Sequence, residues 1–131
     1  MKRKVYLCGG IFGLSDAECH GWRDEAKGII GDRAFVVDPT ERDYRGVEVE
    51  HTTEIVEYDS LMVSCCESLL CYAVRPSWGS AMEVRIANFY GKRIVVVTNG
   101  VVVSPWLHYH ATHVCDSLAE GCELSIGGLQ E

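Results

Sequence analysis

The stretch PSWGSAMEV, residues 76–84, sets Glu83 behind a tight loop and inside what its pattern predicts to be the first turns of a helix. Glutamate suits helices, and an acid near a helix start is favoured by the dipole, so a surface residue that helps the helix begin is one reading. The neighbours Met82 and Val84 are apolar, which instead turns the carboxylate toward a cleft. A partly buried carboxylate beside a pocket is a candidate nucleophile or acid/base group. Retaining glycosyl chemistry needs a second carboxylate, about 5 Å away. Asp38, Asp43 and Asp59 are the candidates.

A second stretch, CGGIFG (8–13), offers Gly9, Gly10 and Gly13 shortly before a helix. Glycines let backbone N–H groups approach an anion, and a helix N-terminus adds partial positive charge. A tight turn that binds nothing explains the same residues. The spacing is neither the G-x-G-x-x-G dinucleotide fingerprint nor a Walker loop.

Other reactive residue types fit less well. In HYHATH, His108 and His110 fall on different sides of a helix and His113 in the next strand, so no shared metal geometry is expected. Trp106 and Tyr109 beside them suit a subunit contact, where aromatics are enriched. The seven cysteines are an odd, scattered set without a CxxC pair, and they read as reduced, mostly buried apolar residues. Cys65 and Cys66 belong with helix packing.

Positioning these groups requires an ordered alternation of elements. KVYLC (4–8), AFVV (34–37), SLLCYAV (68–74), RIVVVT (93–98) and HVCD (113–116) read as strands, nearly all apolar as strands covered on both faces should be. Helices are expected over 16–30 behind the cap Ser15, and over 53–66 with Ile55, Tyr58, Met62 and Cys66 on one face. Another is expected over 80–90, with Met82, Ile86 and Phe89 together and Gly91 as its stop. Ser104–Pro105 starts a short helix, and SLAE (117–120) forms a capping box for the last. This rhythm predicts a parallel sheet with helices on both faces and right-handed crossovers. Ligands of such sheets bind beyond the strand C-termini, where the loops after the first and third strands lie.

The 131 residues fit one domain, 1–131, able to bury roughly 65–70% of its unfolded surface. The first apolar stretch is too short and glycine-rich for a signal peptide or membrane span, so a soluble cytoplasmic protein without a membrane partner is expected. A net charge of −7 argues against a nucleic-acid polymer, whose binding depends on Lys and Arg. It leaves room for one small phosphate held by backbone amides.

YLCGGIF, then DP and RDYRG, then EIVEYD ending at Asp59, then PSWGSAMEV and GKRIVVV, taken in order, resemble the nucleoside 2-deoxyribosyltransferase superfamily over nearly the whole chain. The resemblance implies a flavodoxin-like, Rossmann-like three-layer sandwich with a five-stranded parallel sheet. It implies a nucleophile at Glu83 that attacks the sugar C1′, and an acid at Asp59 that assists departure of the base. Tyr6 is grouped with these catalytic residues, at the base together with aromatics near Trp78.

One position divides the superfamily. Six residues before the nucleophile the transferases carry an Asp for the sugar 5′-hydroxyl, whereas the branch that hydrolyses nucleoside 5′-monophosphates carries a Ser for the 5′-phosphate. This chain has Ser77. A hydroxyl donates to a phosphate dianion that a carboxylate would repel. The resemblance adds Gly9, Gly10, Ile11, Phe12 and Gly13 to the phosphate, and Asp38, Gly79 and Met82 to the substrate site. Ser104 resembles a serine that the hydrolase branch contributes from the neighbouring subunit, so a homodimer or larger homo-oligomer with a shared site is implied. The first loop lacks the Arg often found in the hydrolase branch. Arg45 and Arg75 offer cationic contacts or are solvated loop residues.

The expectation is hydrolysis of a nucleoside 5′-monophosphate to free base and sugar 5-phosphate through a glycosyl-Glu83 intermediate, with no cofactor and no metal. A deoxyribosyltransferase exchanging bases is the alternative, disfavoured by Ser77. A nucleotide-binding sensor without catalysis is a third.

Overall fold

The computed structural model describes residues 2–127. Five strands, β1 (Lys4–Cys8), β2 (Phe35–Val37), β3 (Ser68–Tyr72), β4 (Arg93–Val97) and β5 (His113–Cys115), form one parallel sheet in the order β2-β1-β3-β4-β5. Between and after them lie α1 (Asp16–Ile30), α2 (Thr52–Cys65), α3 (Trp78–Phe89), α4 (Pro105–His110) and α5 (Leu118–Ile126). Two 3-10 turns, Pro39–Glu41 and Glu48–His51, join β2 to α2. This is the flavodoxin-like doubly wound order, with its switch point between β1 and β3.

Strand alternation builds both layers. Val5, Leu7, Leu70, Val95 and Val97 face α1 and α5, where Trp22, Ala26, Ile30, Leu118 and Cys122 meet them. Tyr6, Cys8, Leu69, Cys71, Ile94 and Val96 face the other way, onto Val63 of α2 and Val84 and Ala87 of α3. Each fully buried aliphatic side chain contributes roughly 1.5–3 kcal/mol. Every helix start but that of α2 is made by a serine: Ser15 and Glu18 close a reciprocal capping box, and Ser77, Ser104 and Ser117 each accept a backbone N–H of the next turn.

Two predicted faces are corrected. On α3 the buried stripe is Ser80, Val84 and Ala87, while Met82 and Phe89 are 63% and 74% exposed. Small and β-branched residues let this helix lie close to the sheet and leave its large apolar residues outside. On α2, Met62 and Cys66 pack into the core beside Val63 as expected, and only Tyr58 departs, exposed beneath an arginine. β1 has its expected bounds, the other strands run one or two residues shorter than expected, and α3 starts two residues earlier, placing Glu83 in its second turn. Among the described residues, no helix is long and apolar enough to cross a membrane.

Candidate active site

A cleft of about 170 Å³ opens beyond the C-termini of β1 and β3, at the switch point. The first loop supplies Gly9, Ile11 and Phe12, and the segment after β2 supplies Pro39, Arg42, Tyr44, Arg45 and Glu48. Ile55 and Asp59 come from α2, and Ser77, Gly79, Ser80 and Glu83 from the start of α3. Asp59 and Glu83 therefore face one space from two helices.

Glu83 is fixed from below. Tyr6, wholly buried in β1, donates its hydroxyl to Glu83 Oε2 at 2.6 Å. Burial raises the Glu83 carboxyl to about 7, with the charge of Asp59 adding to the rise and the Tyr6 hydrogen bond opposing it. Burial likewise raises Asp59 to about 6, against the pull of Arg42 and Arg23. The Tyr6 phenol is pushed far above its ordinary value, chiefly by burial and then by the Glu83 charge, so it remains a donor. Two carboxyls that both titrate near neutrality can divide one proton, the requirement for a nucleophile and an acid in one site.

The loop wall is held by Arg23, fully buried on α1. Its Nη2 donates to the Gly9 carbonyl at 3.0 Å and its Nη1 to the Cys19 carbonyl at 2.6 Å, and its Nε lies 3.6 Å from Asp38 Oδ1. Asp38 also pairs with Lys27 at 2.6 Å and accepts from the Thr40 hydroxyl at 2.6 Å. Asp38 is thus a buried counter-ion and not a cleft residue, a correction to its expected place in the substrate site. A buried guanidinium needs a paired charge, and the end of β2 is the nearest element able to provide one.

Further placements also change. Tyr6 has no exposed surface and Trp78 is 88% exposed, so the pair cannot sandwich a base. Met82 points away from the cleft. Gly10 faces Leu14 and Ser77, and Gly13, at φ +75, makes the turn of the loop; neither lines the cleft. Ser104 lines a neighbouring depression of about 360 Å³ with Trp106 and Leu107, which shares only Ser77 and Ser80 with the cleft. Asp43 is held well below the carboxylate range by its hydrogen bonds to Arg45, and Arg75 pairs with Glu18 at 3.1 Å.

The two helix N-termini differ. That of α1 carries Asp16 and Glu18 in its first turn and is closed by its own capping box, which disfavours an added anion. That of α3 has no acid in its first turn. The Ser77 Oγ accepts from the Ser80 N–H at 3.2 Å, so its own hydroxyl proton is left to donate. Of the two helix N-termini, that of α3 is therefore the more electropositive.

Sequence reasoning did not assign Arg23, Arg42, Tyr44 or Ile55. Nothing in RDYRG separates Arg42 from Arg45: both line the cleft, and Arg45 also pairs with Asp43 at 2.8 Å at its rim.

No family model and no curated protein sequence matches the chain. Solved structures do. A 2-deoxyribosyltransferase from Bacillus psychrosaccharolyticus superposes with a TM-score of 0.73 at 15% identity, over 89% of this chain and 88% of its own. A conserved protein from Enterococcus faecalis V583 gives 0.76 at 14%, over 96% and 98%. The Clostridium botulinum CMP N-glycosidase BcmB gives 0.57 at 14%, over 93% and 97%. The chain thus shares its fold with these proteins, a 2-deoxyribosyltransferase and a CMP N-glycosidase among them.

Proposed function

We propose that this chain is an N-glycosidase acting on nucleoside 5′-monophosphates. The observation that carries the reading is the pairing of Glu83 and Asp59 across one cleft, with Glu83 oriented by Tyr6. The likeness in fold to a 2-deoxyribosyltransferase and a CMP N-glycosidase supports glycosyl chemistry on nucleosides.

In this reading the 5′-phosphate lies at the start of α3, where Ser77 donates to it and the first-loop backbone flanks it. An ionised Glu83 oxygen attacks C1′. The C1′–N bond breaks, its electron pair leaves with the base, and Asp59 delivers a proton to the base. Water then attacks C1′ of the ester, the bond from C1′ to the Glu83 oxygen breaks with its electron pair returning to the carboxylate, and Asp59 takes the proton of the water. Sugar 5-phosphate departs, and both carboxyls return to their starting states. Ser77, in the place of an acid that would repel the phosphate, favours a nucleotide over a nucleoside.

We also propose a homo-oligomer. Met82 and Phe89 on α3 and Trp106 and Tyr109 on α4 are all more than half exposed, an apolar face that a second copy would cover. Ser104, off the cleft of its own chain, is then free to serve that copy.

The test is incubation with ribo- and deoxyribonucleoside 5′-monophosphates and chromatography for free base, with Glu83→Gln as control. Base release that persists in Glu83→Gln, or absence of release from every nucleotide, overturns the reading. A base-exchanged nucleoside formed when an acceptor base is supplied would mark a transferase instead.

A further inference from the structure

Arg42 Nη1 is a buried nitrogen without a hydrogen-bond partner on a residue that lines the cleft. Leaving such a donor unmade is costly, so a ligand atom is wanted there. The rest of the guanidinium is committed. Nη2 donates to the Tyr44 hydroxyl at 2.6 Å, and the central carbon sits 3.7 Å from the centroid of the Tyr58 ring. Tyr44 donates in turn to Glu54, which also meets His51 at 3.0 Å. The arginine is therefore held in one place, on the same side of the cleft as Asp59.

Resting on the function proposed above, we propose that Arg42 determines base specificity: its free Nη1 donates to the exocyclic oxygen at the position where adenine and cytosine carry an amino group, so the cleft prefers oxo bases to their amino counterparts. A guanidinium has donors only. An exocyclic oxygen accepts from it, whereas an exocyclic amino group meets it donor to donor. Asp59 shares this wall and is the group that protonates the base, while the phosphate is assigned to Ser77 at the start of α3. Base and not phosphate thus lies within reach of Arg42. The same contact stabilises negative charge building on the departing base.

Two nucleotide pairs carry the test, each differing at one exocyclic group and in the proton on the ring nitrogen beside it: inosine against adenosine 5′-monophosphate, and uridine against cytidine 5′-monophosphate. Replacing Arg42 by Met removes the donors at similar length. Arg42→Lys keeps the charge without the planar fork, and Tyr58→Leu removes the ring that holds the guanidinium. The oxo-to-amino ratio of kcat/KM should fall about tenfold to a hundredfold in Arg42→Met relative to wild type, and by less in the other two. A ratio unchanged in all three variants overturns the proposal. So does a loss confined to nucleotides and absent with the matching nucleosides, which would put Arg42 on the phosphate. Binding of free hypoxanthine against free adenine, read by tryptophan fluorescence, tests Arg42 without turnover. A hypoxanthine preference that Arg42→Met abolishes upholds the assignment even if no base is ever released, a result that would sink only the hydrolase reading. Equal binding of the two bases by wild type rejects Arg42.

Discussion

The hydroxyl of Tyr6 reaches Glu83 at 2.6 Å from a ring with no exposed surface, so the carboxylate is oriented by a donor that water cannot replace. The hydrogen bond holds the Glu83 pKa down against burial. Glu83, at about 7, keeps a shared proton more tightly than Asp59, at about 6, so the working form, with Glu83 ionised and Asp59 protonated, is the minor one between those values. The alkaline limb of the rate profile then reports Glu83. Tyr6→Phe should lower the plateau of kcat/KM for base release by about tenfold and move the alkaline limb to higher pH. A lowered plateau with an unmoved limb would reduce Tyr6 to a packing role.

Asp59→Asn should abolish that limb altogether, because only ionisation of Glu83 would remain, and the rate would then rise with pH to a plateau. The fall in kcat/KM should be about 10²–10⁴-fold for ordinary bases and smaller for bases that leave easily. An equal loss for good and poor leaving groups would remove Asp59 from the role of acid.

Glu83→Gln should stabilise the protein at alkaline pH while removing turnover. The folded pKa of Glu83 lies above its ordinary value, so the folded state binds more protons between about pH 4.5 and about 7. Stability from this group is complete below that window and is lost as pH rises through it. The variant should gain about 3 kcal/mol at pH 8 and almost nothing at pH 4.5, read by denaturant melts at both. A loss of stability at pH 8 would contradict the desolvated carboxylate.

Asp38→Asn should cost about 3 kcal/mol by leaving Arg23 buried without its counter-charge. The Asp38 pKa is lowered: burial, which opposes, is outweighed by its bonds to Lys27 and Thr40. Its contribution is therefore present at neutral pH and lost as pH falls through the depressed value. Wild-type stability with weakened nucleotide binding in this variant would return Asp38 to the substrate site.

A mass in solution of twice 14.6 kDa or more is expected, reduced to one copy in Trp106→Arg with Tyr109→Glu. Sedimentation velocity decides this, and a wild-type monomer at high protein concentration would rule out the second copy.

Much of this molecule was legible in the chain. Apolar runs with helical patterns between them gave the five strands and the starts of α1, α4 and α5, because capping serines and buried strands leave local marks. Glu83, Asp59, Ser77 and Gly79 were placed by motif, and all four line the cleft. What local pattern could not convey is which way a side chain turns once tertiary packing decides. Met82 follows the helical period of an apolar stripe, yet the sheet accepted the smaller Ser80, Val84 and Ala87. Asp38 and Arg23 stand far apart in sequence, and their pairing exists only once β2 lies beside β1.

That pairing sets how the cleft responds to salt. The rim is tied by the exposed pairs of Arg45 with Asp43 and Asp16, which mobile ions screen readily. Arg23 grips the Gly9 carbonyl from a place no counter-ion enters. High ionic strength should therefore loosen the edge of the opening while the wall of the first loop keeps its shape.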